Sequence, residues 1–90
     1  MDEYGIAAFR SRQQVMRVEA ILKREGLNVH VVSTPRDIAI GCGLSVQFAM
    51  KDFKTVQAVL NRMRPDNMIG VYRAERQNGR TRISAITKHG

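Results

Sequence analysis

A strict alternation of large apolar residues with small or polar ones over residues 44–50 limits the possible folds of this chain more than any other feature. The apolar positions are Leu44, Val46, Phe48 and Met50, with Ser45, Gln47 and Ala49 between them. Successive side chains of a strand point to opposite faces of its sheet, so a period of two predicts a strand with one buried face. The segment therefore belongs to a sheet that other elements cover on one side.

Two amphipathic helices flank this predicted strand. Ser11 is a candidate N-cap with Gln14 three residues later, the spacing of a capping box, and Gly26 allows a left-handed C-cap. The apolar stripe of this first helix is Val15, Val18, Ile21 and Leu22. Asp52 is the candidate N-cap of the second helix, which Pro65 prevents from continuing. Its stripe is Phe53, Val56, Leu60 and Met63.

Three more short apolar runs predict strands at residues 4–9, 27–33 and 68–74. The order is then strand, helix, strand, strand, helix, strand, and the two helices can cover only one face of the sheet. This pattern predicts an α+β, ferredoxin-like βαββαβ sandwich with an antiparallel sheet. The predicted core is Val15, Val18, Leu22, Leu44, Val46, Phe48, Val56 and Leu60. Met16, Met50 and Met63 also lie at stripe positions and are expected to fill the core.

Asn78-Gly79 is the residue pair most typical of a two-residue type I′ hairpin. It predicts an additional C-terminal edge strand over residues 80–86 and a frayed end after it. The expected cross-strand pairs are Ala74 with Ile83, Tyr72 with Ala85, and Glu75 with Arg82. At this length, residues 1–90 form a single domain, with a core over residues 4–74 and a basic hairpin strand over residues 75–87.

The positive charge of the chain is concentrated near its C-terminus. Of a net charge of +7, residues 71–90 contribute +4, from five basic residues and one acidic residue. The candidate partner-binding residues are Arg73, Arg76, Arg80 and Arg82. Such a surface is a solvated face or a docking surface for an acidic protein or nucleic acid. The predicted edge strand also offers a route to a homo-oligomer by strand pairing.

A nucleic-acid-binding module of the RRM type has the same order of elements. That module stacks bases on aromatic residues of its sheet, whereas the polar face of the predicted strand 44–50 carries Ser45 and Gln47. Contact with nucleic acid would therefore be electrostatic and steeply dependent on salt.

Other classes of protein are disfavoured by composition. No apolar run approaches the roughly 18 residues of a membrane span, and residues 1–4 lack the basic and apolar stretches of a secretory signal. We therefore expect a cytoplasmic protein with no membrane association. Cys42 is the single cysteine, and His30 and His89 are far apart, so no metal-ligand spacing or cofactor motif is present.

Residues 33–48 carry the most specific motif. They read Ser-Thr-Pro-Arg-Asp-Ile-Ala-Ile-Gly-Cys-Gly-Leu-Ser-Val-Gln-Phe. This segment resembles the signature of the selenium/sulfur carrier protein-like family, which runs Pro-Arg-Glu, a short stretch, Cys-Gly, and an apolar strand ending near Arg-Phe. The matching positions are Pro35, Arg36, Cys42, Gly43, Leu44 and Phe48, with Asp37 in place of the glutamate. The chain departs from the family at Gln13, where many relatives have a histidine, and in the basic hairpin after residue 74.

The resemblance implies a sulfur or selenium carrier rather than an enzyme, with donor and acceptor proteins as its partners. Cys42 would accept the chalcogen as a persulfide or selenopersulfide, a reaction of the thiolate. Gly41 and Gly43 remove bulk around the sulfur, and Arg36 would stabilise the anion and lower the thiol pKa. One alternative stays open: Cys42 shares the parity of Leu44, so a longer strand would bury it as an inert core residue.

Overall fold

The computed structural model describes residues 2–39, 43–65 and 67–88, which form a sheet with helices on one side. Its elements are β1 (Asp2–Phe9), α1 (Arg12–Arg24), β2 (His30–Ser33), β3 (Leu44–Phe48), α2 (Phe53–Met63), β4 (Met68–Gln77) and β5 (Arg80–Lys88). The strands lie in the order β2-β3-β1-β4-β5, and all neighbours are antiparallel. The predicted ferredoxin-like α+β fold with an additional C-terminal edge strand is confirmed.

The Asn78-Gly79 hairpin sets the register of the last two strands. Both residues have positive φ, 52° for Asn78 and 78° for Gly79, as a type I′ turn requires. The pairs Ala74 with Ile83, Tyr72 with Ala85, and Glu75 with Arg82 all form as predicted. The register then shifts between Val71 and Tyr72, where β5 holds one additional residue. Pairing continues past this bulge, so β5 ends at Lys88 rather than at residue 86.

The C-terminus of α1 explains why β2 is shorter than predicted. Gly26 has φ 88°, its N–H donates to Lys23 O at 3.0 Å, and Leu27 N–H donates to Leu22 O at 3.1 Å. These two bonds are those of a Schellman motif, which often brings an apolar residue at this position against the helix. Leu27 packs against the core in this way. The helix cap thus takes up the first residues of the predicted strand 27–33, and β2 begins only at His30.

Ser11 and Asp52 are the N-caps of α1 and α2 as predicted, but neither makes the full set of capping hydrogen bonds. Ser11 Oγ accepts from Gln14 N–H at 3.4 Å, but Gln14 Oε1 is buried without a partner among the described residues, so only half of the capping box forms. A 3-10 turn, Met50–Asp52, precedes α2, and Asp52 caps the helix by position without a side-chain hydrogen bond. The predicted strand 44–50 therefore ends two residues early, at Phe48.

The main core lies between the helices and the sheet and contains the eight predicted core residues. Seven of them are buried there, and Leu44 packs against this cluster from its rim. Met50 and Met63 also pack against it as expected. Met16 does not, because its side chain points to solvent from α1 and is 42% exposed. The prediction for Met16 was wrong, since it lies one position beyond Val15, which faces the core.

Gly5 gives the Phe48 ring its place in this core. The two residues are directly paired between β1 and β3, and a Cβ at Gly5 would lie 2.2 Å from Cε2 and Cζ of Phe48. The ring therefore lies against the backbone of Gly5, in the space that any other residue would fill. Phe48 itself is 2% exposed.

We predict that Gly5→Ala lowers the free energy of unfolding by about 1–3 kcal/mol through overpacking against the ring. Phe48→Ala is expected to cost about 3–5 kcal/mol, because it removes a buried aromatic side chain from a small core. In a Phe48→Leu background the ring edge is gone, so the cost of Gly5→Ala should fall. Urea denaturation of the four combinations measures this coupling, and an equal cost of Gly5→Ala in both backgrounds would contradict the contact.

Candidate functional site

The two ends of the loop between β2 and β3 are hydrogen-bonded to each other. We call these paired ends, residues 33–34 and 43–44, the neck of the loop. Ser33 and Leu44 are the last paired residues of these strands, and Thr34 N–H then donates to Gly43 O at 3.1 Å. A Cβ at Gly43 would lie 3.2 Å from Thr34 Oγ1 and 3.6 Å from Phe9 O. This close packing favours glycine at the point where the chain re-enters the sheet.

A buried hydroxyl pair reinforces the neck. Thr34 Oγ1 and Ser45 Oγ are 2.7 Å apart, and Ser45 is completely buried. Ser45 lies on the side of the sheet turned away from the helices, which we call the far side, because Leu44 and Val46 face the helices. The hydroxyl of Thr34 thus satisfies a polar group that burial would otherwise leave without water.

The first half of the loop is a single tight turn. Pro35 O accepts hydrogen bonds from Ile38 N–H at 3.0 Å and from Ala39 N–H at 3.1 Å. Pro35 suits the start of this turn because its ring fixes φ and it needs no N–H partner. Arg36 and Asp37 lie on the exposed outer side of the turn. The motif's charged pair therefore faces solvent.

Ile38 attaches this turn to the far side of the sheet. It packs against a second apolar cluster, formed by Ile6, Ala8, Tyr72 and Ala74. Those residues belong to β1 and β4, whereas the loop starts and ends at β2 and β3. The turn consequently folds back over the sheet, and both of its described ends are held by contacts.

The structure places only part of the predicted site. Arg36 lies in the exposed turn and Gly43 at the neck, while Gly41 and Cys42 lie outside the described residues. The predicted sulfur site is therefore described at its two flanks. Sequence reasoning missed the roles of Thr34, Ile38 and Ser45. Their only signal was polarity or apolarity at single positions, which does not reveal a tertiary contact.

Arg73, one of the predicted partner-binding residues, is engaged within the sheet. Its Nε donates to Glu3 Oε2 at 2.9 Å, its Nη2 also pairs with that carboxylate, and Glu75 lies 3.7 Å away. The hydrogen bond that Arg73 donates to Glu3, and then the charges of Glu3 and Glu75, raise the pKa of Arg73. The charge of Arg73 is thus already paired with Glu3 and Glu75 within the sheet.

The other hairpin arginines differ from Arg73. Arg76, Arg80 and Arg82 are exposed, and the ion pairs found among the described residues do not include them. They lie on β4 and β5, at the opposite end of the strand order from β2. The loop and the hairpin thus start from opposite ends of the sheet, although Ile38 of the loop and Ile83 of β5 pack against the same cluster.

Metal binding and membrane spanning find no support in the described part of the chain. Its His, Asp and Glu side chains form no group of three that is close enough to hold a metal ion. Neither of its two helices has the length and apolar character that crossing a membrane requires.

Comparison with known proteins identifies the family. The family model described as "Putative Se/S carrier protein-like" matches residues 4–68. The match runs from Tyr4 in β1 to Met68, the first residue of β4, and includes the whole loop between β2 and β3. The chain belongs to this family. No curated protein and no solved structure matched it.

We predict that Ile38→Ala loosens the turn while leaving the sheet folded. The substitution removes apolar contact worth about 1 kcal/mol for a half-buried side chain. The amides of Ile38 and Ala39 should then exchange with deuterium several-fold faster, and those of β1 should not. Ile83→Ala is the matched control, because Ile83 packs against the same cluster from β5. Unchanged exchange of the Ile38 and Ala39 amides would contradict the docking of the turn.

Proposed function

We propose that this protein carries sulfur or selenium on Cys42, as a persulfide or selenopersulfide, between a donor and an acceptor protein. Membership of the Se/S carrier protein-like family supports this function most strongly, since the matched region includes the complete Pro35-to-Gly43 segment. Cys42 is the only cysteine of the chain.

The proposed reaction is a transfer between thiols and needs no external oxidant. The Cys42 thiolate attacks the outer sulfur of a donor persulfide; the donor S–S bond breaks, a new S–S bond forms, and the donor leaves as a thiolate. An acceptor thiolate then attacks the outer sulfur on Cys42 and restores the Cys42 thiolate. Selenium would follow the same route, with a selenopersulfide as donor. Because the chain has no second thiol, the loaded form cannot collapse into an internal disulfide.

The described flanks of the loop are anchored on both sides of Cys42, which suits a segment that carries a transferable group. Cys42 is bonded to Gly43, which the Thr34 N–H bond and the close packing at the neck hold at the start of β3. Ile38 holds the other half of the loop on the far side of the sheet. Donor and acceptor proteins would therefore meet the thiol at one place on the surface of the fold.

Arg36 is the proposed source of positive charge for the thiolate and for the loaded persulfide. It is exposed in the same loop, and the ion pairs of the described residues leave it out. A guanidinium near a sulfur anion favours the ionised form over the neutral thiol. Asp37 beside it offsets part of this charge, so the effect depends on the geometry of the turn.

We predict that the folded protein gains the mass of one sulfur atom when incubated with a small-molecule persulfide donor. Intact-mass spectrometry under non-reducing conditions measures the gain, and a thiol acceptor added afterwards should remove it. Cys42→Ser should gain nothing. Equal uptake by Cys42→Ser, or none by the wild type, would contradict the carrier function.

The same assay tests the role of Arg36. In Arg36→Ala the thiolate loses a stabilising charge, so the midpoint of the pH–rate profile for sulfur uptake should move to higher pH. Arg36→Lys should restore most of the wild-type profile, since it keeps the charge. Arg17→Ala, an exposed arginine of α1, serves as the control and should leave the profile unchanged. A profile unaffected by Arg36→Ala would assign Arg36 to the loop's structure alone.

A further inference from the structure

β5 is an edge strand with one free side. The strand order ends at β5, and within the described residues β4 is its only neighbour. Such an edge presents N–H and C=O groups that have no partner in the sheet. The strand is nine residues long and contains no proline, so its backbone can pair along most of its length.

The side chains of β5 divide by charge between the two sides of the sheet. Ile83 packs against the cluster on the far side, so Thr81 and Ala85 share that side. Arg80, Arg82 and Ser84 alternate with them and face the helix side. A surface depression of about 650 Å³ is lined by Arg80, Arg82 and Glu75 of β4, among others. From Arg80 to Ala85, β5 thus has its positive charges on the helix side and small or apolar residues on the far side, and Ile86 beyond them packs against the main core.

We propose that β5 binds an extended acidic segment of a partner protein, which adds to the sheet as a sixth strand. Backbone hydrogen bonds would supply the pairing, as in other complexes formed by strand addition. Opposite β5, the partner's acidic residues would meet Arg80 and Arg82, and small or apolar residues would lie beside Ile83 and Ala85. The expected partner therefore alternates acidic and apolar residues. The proposal is independent of the carrier function, because the family match ends at Met68.

A second copy of this chain fits the same edge poorly. β5 contains two arginines and a lysine and no acidic residue. Pairing two such strands in either direction would bring positive charges together, which destabilises cross-strand pairs. Charges of one sign on an edge strand are a known means of preventing self-association. An acidic strand would instead place negative charges opposite the positive charges of β5, so the two strands would attract each other.

Nucleic acid fits the edge less well than a peptide. A strand edge exposes donors and acceptors in equal number, whereas phosphates offer only acceptors, so the outward carbonyls of β5 would gain no partner. Binding of single strands also relies on bases stacking on exposed aromatic rings. Tyr72, on the far side beside β5, is only 8% exposed.

Two synthetic peptides of identical composition test the proposal with the full-length protein. One alternates glutamate and valine, and the other has the same residues in two blocks. We expect the alternating peptide to bind at least tenfold more tightly by isothermal titration calorimetry. It should also protect alternate amides between Arg80 and Ala85 from deuterium exchange, which purely electrostatic binding would not do.

Charge reversal supplies the matched variants. Arg80→Glu/Arg82→Glu should reduce binding of the alternating peptide at least tenfold. Arg12→Glu/Arg17→Glu, which changes the net charge equally at exposed positions of α1, should change it less than twofold. Four results would each overturn the proposal: no binding, equal binding of both peptides without amide protection, a dimer of the peptide-free protein in sedimentation, or tighter binding of a single-stranded oligonucleotide.

Discussion

The contact between Ile38 and the far side of the sheet connects the fold to the candidate sulfur site. β1 is the central strand, and Ile6, Ala7 and Ala8 are all at most 1% exposed, although the helices cover only one side. On the far side, Ile38 and its turn lie on the cluster that contains Ile6 and Ala8. Apolar burial of this kind stabilises the fold and at the same time fixes the turn of residues 35–39. The position of this turn is therefore a consequence of completing the core.

Features that depend on neighbouring residues were predictable from the sequence. Asn78-Gly79 determined both the hairpin and its register, because only a few residue types accept positive φ at two consecutive positions. The alternation from Leu44 to Phe48 likewise identified a strand and its buried face. Pro35, Arg36 and Gly43 led to the family, which the match over residues 4–68 established.

Features that depend on distant residues were not predictable in this way. Nothing in the sequence near Ile38 indicates that it contacts a cluster from β1 and β4, or that Thr34 bonds to Ser45. The predicted strand 27–33 includes Leu27, but the N–H of Leu27 donates to Leu22 O in the cap of α1. Local pattern thus located the elements, and tertiary contacts decided where they end and how the loop docks. For the two proposed sites, the motif identified the loop and the Asn78-Gly79 hairpin predicted the edge strand, whereas the docking of the loop emerged only from the structure.

The central claim is that the loop presents Cys42 to other proteins rather than burying it. The rate of alkylation by a small neutral reagent, compared between the native and the urea-unfolded protein at the same pH, tests this most directly. The account predicts that the native protein reacts at a rate close to that of the unfolded chain, or faster if Arg36 favours the thiolate. Reaction only after unfolding would show that Cys42 is a core residue, and the chain would lack the one thiol that a carrier requires.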